Sequence, residues 1–337
     1  MSLATRLDSY QRKHRWIGFA LAVVYKFIDD SGTYLAALLT YYAFVSFFPL
    51  LLLLSSILGF VVRGNPELQQ QLLHSTLQQF PVVGAQLSAP ERLGGGWTGV
   101  LVGFLVAVYG GLGIAQAVQY AMNTAWSVPK HRRPNPFAAR GRSLLLLSTG
   151  GVAVLGSSIA SALGSSAEAY GANFGTGAHV LLTAASMAVN AVVFVLAFKL
   201  ATPRALSVRQ VAPGALVAAV AWQLLQSFGG RYVGHVVKTA SATNAVFALV
   251  LGLLAFFDVA ALAFVLCVEL IVVRVDRLWP RALLTPFTDD VDLTAGDERV
   301  YTDAARTQSA KGFERVEVTF EPRDDDAEEV SQPPGQR

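Results

Sequence analysis

Residues 245–273 read AVFALVLGLLAFFDVAALAFVLCVELIVV, and only Asp258 and Glu269 interrupt their apolar character. A helix of about 20 apolar residues crosses the roughly 30 Å hydrocarbon core of a bilayer. A buried strand of a soluble α/β protein shows an apolar run of only about 4–8 residues. This stretch is several times too long for that. Five others precede it, with no charged residue between Asp30 and Arg63, Arg92 and Lys130, Arg142 and Glu168, Glu168 and Lys199, or Arg209 and Arg231. The expected spans are 34–62, 98–125, 143–164, 178–200, 211–232 and 245–273. Composition agrees, with 53% hydrophobic residues, 15% charged and a mean hydropathy of +0.46. The expectation is an all-α polytopic membrane bundle of six transmembrane helices, occupying residues 34–275.

Loop charge orients the bundle. Arg63, Arg92, Arg231 and Lys238 are the four basic residues of the loops on one side. The other side collects sixteen, among them Arg12, Lys13, Arg132, Arg133, Arg204, Arg209 and Arg274. Basic loops stay cytoplasmic, so both termini are expected in the cytoplasm.

Residues 1–33 form a cytoplasmic segment. Lys26, Asp29 and Asp30 interrupt the run Ile17–Tyr25, which argues against a signal peptide. Trp16, Phe19, Ala20, Val23, Val24 and Phe27 recur at helical spacing, as in an interfacial amphipathic helix. A helix packed on the inner mouth of the bundle is the alternative. In the loop 64–96, Leu68, Leu72, Leu73, Leu77 and Phe80 predict a short amphipathic helix ended by Pro81, followed by the flexible Gly94-Gly95-Gly96. From 285 to 337 the chain turns acidic, with 14 Asp and Glu against 6 Lys and Arg. Low hydrophobicity with like charge predicts a largely disordered cytoplasmic tail. Within it, Arg315–Phe320 alternates like a short strand. The tail is either solvated or a docking site for a protein partner.

Several motifs resemble one membrane family. Leu35-Ala-Ala-Leu-Leu-Thr-Tyr-Tyr-Ala-Phe-Val-Ser-Phe-Phe-Pro49-Leu-Leu, Ala121-Met-Asn123-Thr-Ala-Trp126 and Arg140-Gly-Arg-Ser-Leu-Leu resemble the signature of the YihY/BrkB family. Arg209-Gln-Val-Ala-Pro213-Gly214-Ala, Trp222-Gln-Leu-Leu-Gln and Tyr232-Val continue it. The resemblance runs from about residue 15 to 275. It implies six spanning helices, the bacterial inner (plasma) membrane and a role in envelope integrity or virulence. Members are described as transporters, and some carry an old ribonuclease BN label regarded as a misattribution. This chain departs from the family at Phe256 and Asp258, where a Trp-x-Tyr is usual. It departs again at Cys267-Val-Glu269, where Gly-Ala-Glu is usual, so packing there is expected to differ.

Asp258 lies mid-span, where carboxylates usually face a bundle interior or a wet cavity. It either carries a proton or cation, or makes an interhelical hydrogen bond. Glu269, three turns further on, is expected to pair with Arg274 or a basic loop. Lys199 ends its span and can snorkel. Arg231 and His235 flank the outer end of the fifth span, as headgroup contacts or as interfacial anchors. Lys130, His131, Arg132, Arg133, Arg140 and Arg142 set topology and are candidates for anionic lipid headgroups. Nucleic acid is not an expected partner. Stripes of small residues, Gly103/Ala107/Gly111 and Gly156/Ala160/Gly164, predict close helix contacts, and Pro49 predicts a kink.

The five histidines are scattered, Cys267 stands alone, and no P-loop, GxSxG or HExxH occurs. No cofactor, metal site or catalytic residue is implied. The reading that fits is a transporter or lipid translocator with an anionic lipid or lipid-like substrate. The alternative is a non-catalytic envelope scaffold. A membrane-bound ribonuclease would need clustered cytoplasmic carboxylates or histidines that the chain does not offer. Oligomeric state is not legible in the sequence.

Overall fold

The computed structural model describes residues 3–61, 97–169, 176–239, 242–288 and 291–320. It is 78% helix, with no strand among the described residues. Short helices α1 (Leu3–Lys13) and α2 (Arg15–Asp29) lead into six long ones. These are α3 (Gly32–Val61), α4 (Trp97–Ala125), α5 (Pro136–Ala169), α6 (Thr176–Leu200), α7 (Val208–Thr239) and α8 (Ala242–Asp276), and α9 (Ala295–Thr307) follows. Each long helix overlaps one of the expected ranges. Phe104–Ala125, Val208–Gly229 and Val250–Asp276 are long and apolar enough to cross a membrane, and Gly32–Phe47 and Ala184–Leu200 are shorter apolar helices. The chain divides into two compact units.

One unit comprises residues 32–122 and 134–268. Its helices turn apolar side chains outward as well as inward. Leu216, Val220, Leu224 and Phe228 recur every fourth residue of α7 and are all exposed, as are Leu101, Phe104, Leu105 and Tyr109 on α4. An exposed apolar face on this scale is what lipid contact requires. Inside, Phe47, Leu253, Phe256 and Phe257 are buried together, with Trp222 and Leu225 against them. The Phe47 and Phe257 rings meet edge to face at 5.4 Å, a geometry that aromatic quadrupoles favour.

Helix contact here rests on glycine. A Cβ added to Gly110 of α4 would stand 3.1 Å from the Ser46 Cα of α3. At Gly113 it would stand 2.6 Å from the Tyr42 ring, and at Gly111 it would stand 2.8 Å from Leu147 of α5. Gly111 thus serves the role expected of its stripe. The side chains around Gly103 and Ala107, and around Gly156, Ala160 and Gly164, lie outside the described residues, as does the predicted helix of the loop 64–96. Gln119 bridges α4 to α5, donating to Ser143 Oγ at 2.8 Å and to the Ala139 carbonyl at 3.1 Å. Pro49 and Pro213 sit inside α3 and α7.

The other unit comprises residues 1–31, 123–133 and 269–337. α2 buries Gly18, Ala22, Val23, Tyr25 and Lys26, while Trp16, Ile17, Val24 and Ile28 are exposed. It is therefore two-faced, one side packed and the other apolar and open. α4 ends in a Schellman motif, with Ser127 left-handed (φ 48°), Val128 N–H donating to the Asn123 carbonyl and Ser127 N–H to that of Thr124. α8 ends likewise at Arg277 (φ 54°), with Leu278 N–H reaching the Val273 carbonyl.

The expectation of a largely disordered tail from 285 needs correction. Residues 295–307 are α9, opened by a capping box in which Thr294 and Asp297 exchange hydrogen bonds. The acidic average across the tail concealed this local signal. Arg315–Phe320 forms no strand, and residues 321–337 lie outside the described ones.

Because the Gly110 contact is to backbone, Gly110→Ala should lower stability by about 1–3 kcal/mol, the cost of overpacking. Gly150, with nothing within 4 Å of an added Cβ, is the control: Gly150→Ala should leave the melting temperature unchanged or raise it. Thermal unfolding of the purified protein in detergent checks both.

Candidate functional site

Two sites stand out, one charged and one apolar. The charged one belongs to the unit built from the chain ends. On α2, Tyr25 and Asp29 are four residues apart, as are Lys26 and Asp30, so the two pairs lie side by side along the helix. After α8 the left-handed turn at Arg277 sends the chain through Leu278, Trp279 and a cis-bonded Pro280 to Arg281. Arg281 has no solvent exposure.

The Arg281 guanidinium donates through Nε to Asp297 Oδ1 and through Nη1 to Asp29 Oδ2, the latter at 3.0 Å. Its Cζ lies 6.0 Å from the Tyr25 ring centroid and 5.6 Å from that of Tyr301, both within cation–π range. Asp297 Oδ2 accepts from the Ala282 and Thr294 amides, each at 2.9 Å, and is 2.7 Å from Thr294 Oγ1. Burial pushes the Asp297 carboxyl up, but the hydrogen bonds from Arg281, Thr294 and Ala282 outweigh it and hold it below the ordinary value. Burial opposes the Arg281 charge, and the bonds to Asp297 and Asp29 more than restore it. Asp8 and Gln11 of α1 close the network from another side. Gln11 donates to the Arg281 carbonyl at 2.6 Å, and Leu283 N–H donates to Asp8 at 2.9 Å. Tyr25 hydroxyl donates to the Leu283 carbonyl.

Beside this lies a second buried cluster. Lys26 donates to Asp30, and its Nζ is 4.0 Å from Glu269 Oε2. Burial opposes the Lys26 ammonium, yet the Glu269 and Asp30 charges raise its pKa above the usual value. Burial lifts Asp30 above the ordinary carboxylate value despite Lys26. The expected partner of Glu269 is corrected here. Arg274 is exposed, while Lys26 of α2 and Asp30 of the turn after it face Glu269.

The apolar site lies within the other unit. A cavity of about 190 Å³ opens among α3, α4, α6, α7 and α8. Phe194, Trp222, Phe257 and Phe264 form its aromatic walls, and alanines such as Ala218 and Ala261 line it elsewhere. Asp258 is not among its lining residues. Its Oδ1 is instead 3.3 Å from Thr40 Oγ1 of α3, a hydroxyl that also lies 2.9 Å from the Ala36 carbonyl.

The remaining expected residues scatter. Asn123 and Trp126 are buried in the first-described charged unit, Gly214 is buried in α7, and Pro49 and Pro213 are partly buried. Lys130 donates to Gln308 at 2.8 Å and Arg133 to the Val128 carbonyl at 3.1 Å, so both are engaged by protein. His131 N–H reaches the Ser309 carbonyl at 3.3 Å. Arg132 and Arg140 are exposed, and Arg142 is partly buried with Nη1 lacking a partner among the described residues. The side chains of Arg231, Tyr232 and His235 lie outside the described residues.

Residues 23–283 match the family model of the virulence factor BrkB. The chain belongs to this family. No curated protein and no solved structure matches it. The match in this BrkB-family protein takes in Lys26, Asp29, Asp30, Glu269 and Arg281, whereas Asp297 and α9 lie beyond it. Sequence reasoning missed this network because its members resemble ordinary loop charges. The two adjacent i,i+4 pairs on α2 and the Thr294-x-x-Asp297 cap were the available signals.

Replacing Arg281 by Met keeps bulk but leaves Asp29 and Asp297 without their cation. Unfolding of Arg281→Met in detergent should show a loss of about 3–5 kcal/mol, as for a broken buried pair. The folded Asp297 pKa lies below its unfolded value of about 3.9. Its contribution is therefore complete above that value and disappears as pH falls through the lower folded one. Susceptibility of the 277–294 linker to an acid-active protease should rise across that window, and Asp297→Asn should blunt the dependence.

Proposed function

We propose that this is a multi-pass inner-membrane protein whose six long helices all span, with both termini cytoplasmic. It handles an amphiphile, as a lipid translocator or transporter that supports envelope integrity. The observation that carries this reading is the apolar cavity among five helices. Drug-sized ligands occupy sites of about 300–1,000 Å³, so roughly 190 Å³ suits part of an acyl chain. An aqueous solute would need polar groups in such a wall, and the side chains lining it are almost all apolar. Exposed Arg132 and Arg140 supply cations for an anionic headgroup, and the exposed face of α2 (Trp16, Ile17, Val24, Ile28) suits the membrane interface.

A second reading has its own support. Asp258 lies within hydrogen-bonding distance of Thr40 and off the cavity wall, as interhelical packing alone would place it. This fits a non-catalytic scaffold that recruits a protein partner through its acidic tail. Neither reading calls for catalysis, and a ribonuclease is not favoured.

Native mass spectrometry of the purified protein, with lipid extraction alongside, separates the two. A defined lipid at fixed stoichiometry is expected. Ala221→Phe, which fills the cavity, should reduce its retention at least tenfold without unfolding the protein. Bulk lipid alone, indifferent to that change, overturns the proposal in favour of the scaffold. Asp258→Asn preserves a hydrogen-bonding oxygen beside Thr40 and should still complement a deletion strain in an envelope-stress assay.

A further inference from the structure

Glu269 has no exposed side-chain surface, and neither of its carboxyl oxygens has a hydrogen-bond donor among the described residues. Lys26 Nζ, at 4.0 Å, stands beyond hydrogen-bond reach and donates its hydrogen bond to Asp30 instead. Asp297 shows the contrast. That carboxylate is equally buried but accepts from a guanidinium, two backbone amides and a hydroxyl. A carboxylate so supplied is stable as an ion. One with no donor, out of water, is not.

The charged groups facing Glu269 are Lys26, Asp30 and Asp29, all from α2 and the turn that follows it. Asp29 is held by Arg281. The remainder is one ammonium against two carboxyls, which leaves one negative charge unmatched. The Asp30 and Glu269 carboxyls share the same ammonium, Asp30 bonded to Lys26 Nζ and Glu269 Oε2 4.0 Å from it, and two such carboxyls can bond to each other only when one carries a proton. Adjacent buried carboxyls do not both ionise readily.

We propose that Asp30 and Glu269, with Lys26 as their fixed counter-ion, form a binding site for a single exchangeable monovalent cation, a proton in the resting state. The site lies where α2 meets the last turns of α8. It shares no residue with the lining of the apolar cavity.

The test is infrared spectroscopy of the full-length protein in lipid nanodiscs at neutral pH, in sodium-free choline buffer and in H2O and D2O. A protonated-carboxyl band that shifts in D2O is expected, lost in both Glu269→Gln and Asp30→Asn but kept in Asp258→Asn. Glutamine preserves the shape of Glu269, and the D2O shift in the unaltered protein needs no variant. Loss of the band on adding sodium supports the same site with an alkali cation as the competing ligand. Absence of any such band, or a band that survives Glu269→Gln and vanishes in Asp258→Asn, overturns the proposal.

Discussion

Arg281 is the constraint on which the smaller unit depends. A guanidinium never loses its charge in a protein, so burying it obliges the fold to bring anions to it. Two arrive, Asp29 from α2 and Asp297 from α9. The backbone around Arg281 is then clasped by Gln11 and Asp8 of α1 and by Tyr25 of α2. Gly296 belongs to the same arrangement, because a Cβ there would come within 2.5 Å of the Pro280 carbonyl. The helix carrying Asp297 can approach the linker only without a side chain at that position.

The long helices were legible because membrane length is a one-dimensional requirement. The expected ranges 178–200 and 245–273 are helical as Thr176–Leu200 and Ala242–Asp276, and within the second Val250–Asp276 is long and apolar enough to cross a membrane. No tertiary knowledge is needed to see that hydrocarbon must be crossed. The charged network was not legible, for the opposite reason. Asp29 and Arg281 are separated by 252 residues, and each alone has the look of a solvated loop charge. Asp297 was one acid among the fourteen of a tail read by its average. Averaging erased the Thr294 cap that marks a helix start. Glu269 was recognised as unusual, yet its partners came from a segment read as interfacial.

The two units solve burial with opposite chemistry. Helices that lie in lipid have no hydrophobic gain from exchanging it for protein, so their contact depends on packing quality. Gly110, Gly111 and Gly113 permit that packing by removing side chains from the contact. Aromatic rings then fill the wider gaps at Phe47, Phe256 and Phe257. In the other unit, directional bonds between ions replace dispersion as the source of specificity. Thr40 with Asp258, and Gln119 with Ser143, carry directional bonding into the apolar bundle.

The smaller unit is assembled from the first, a middle and the last portion of the chain, residues 1–31, 123–133 and 269–337. During synthesis Lys26, Asp29 and Asp30 emerge long before the residues that neutralise or shield them. Arg281 follows only after the last long helix, and Asp297 later still. Lys26 and Asp30 can pair with each other from the start, whereas Asp29 has no cation until Arg281 has been made. A chain interrupted before α9 has Arg281 but lacks Asp297, the second of the two anions that its guanidinium engages.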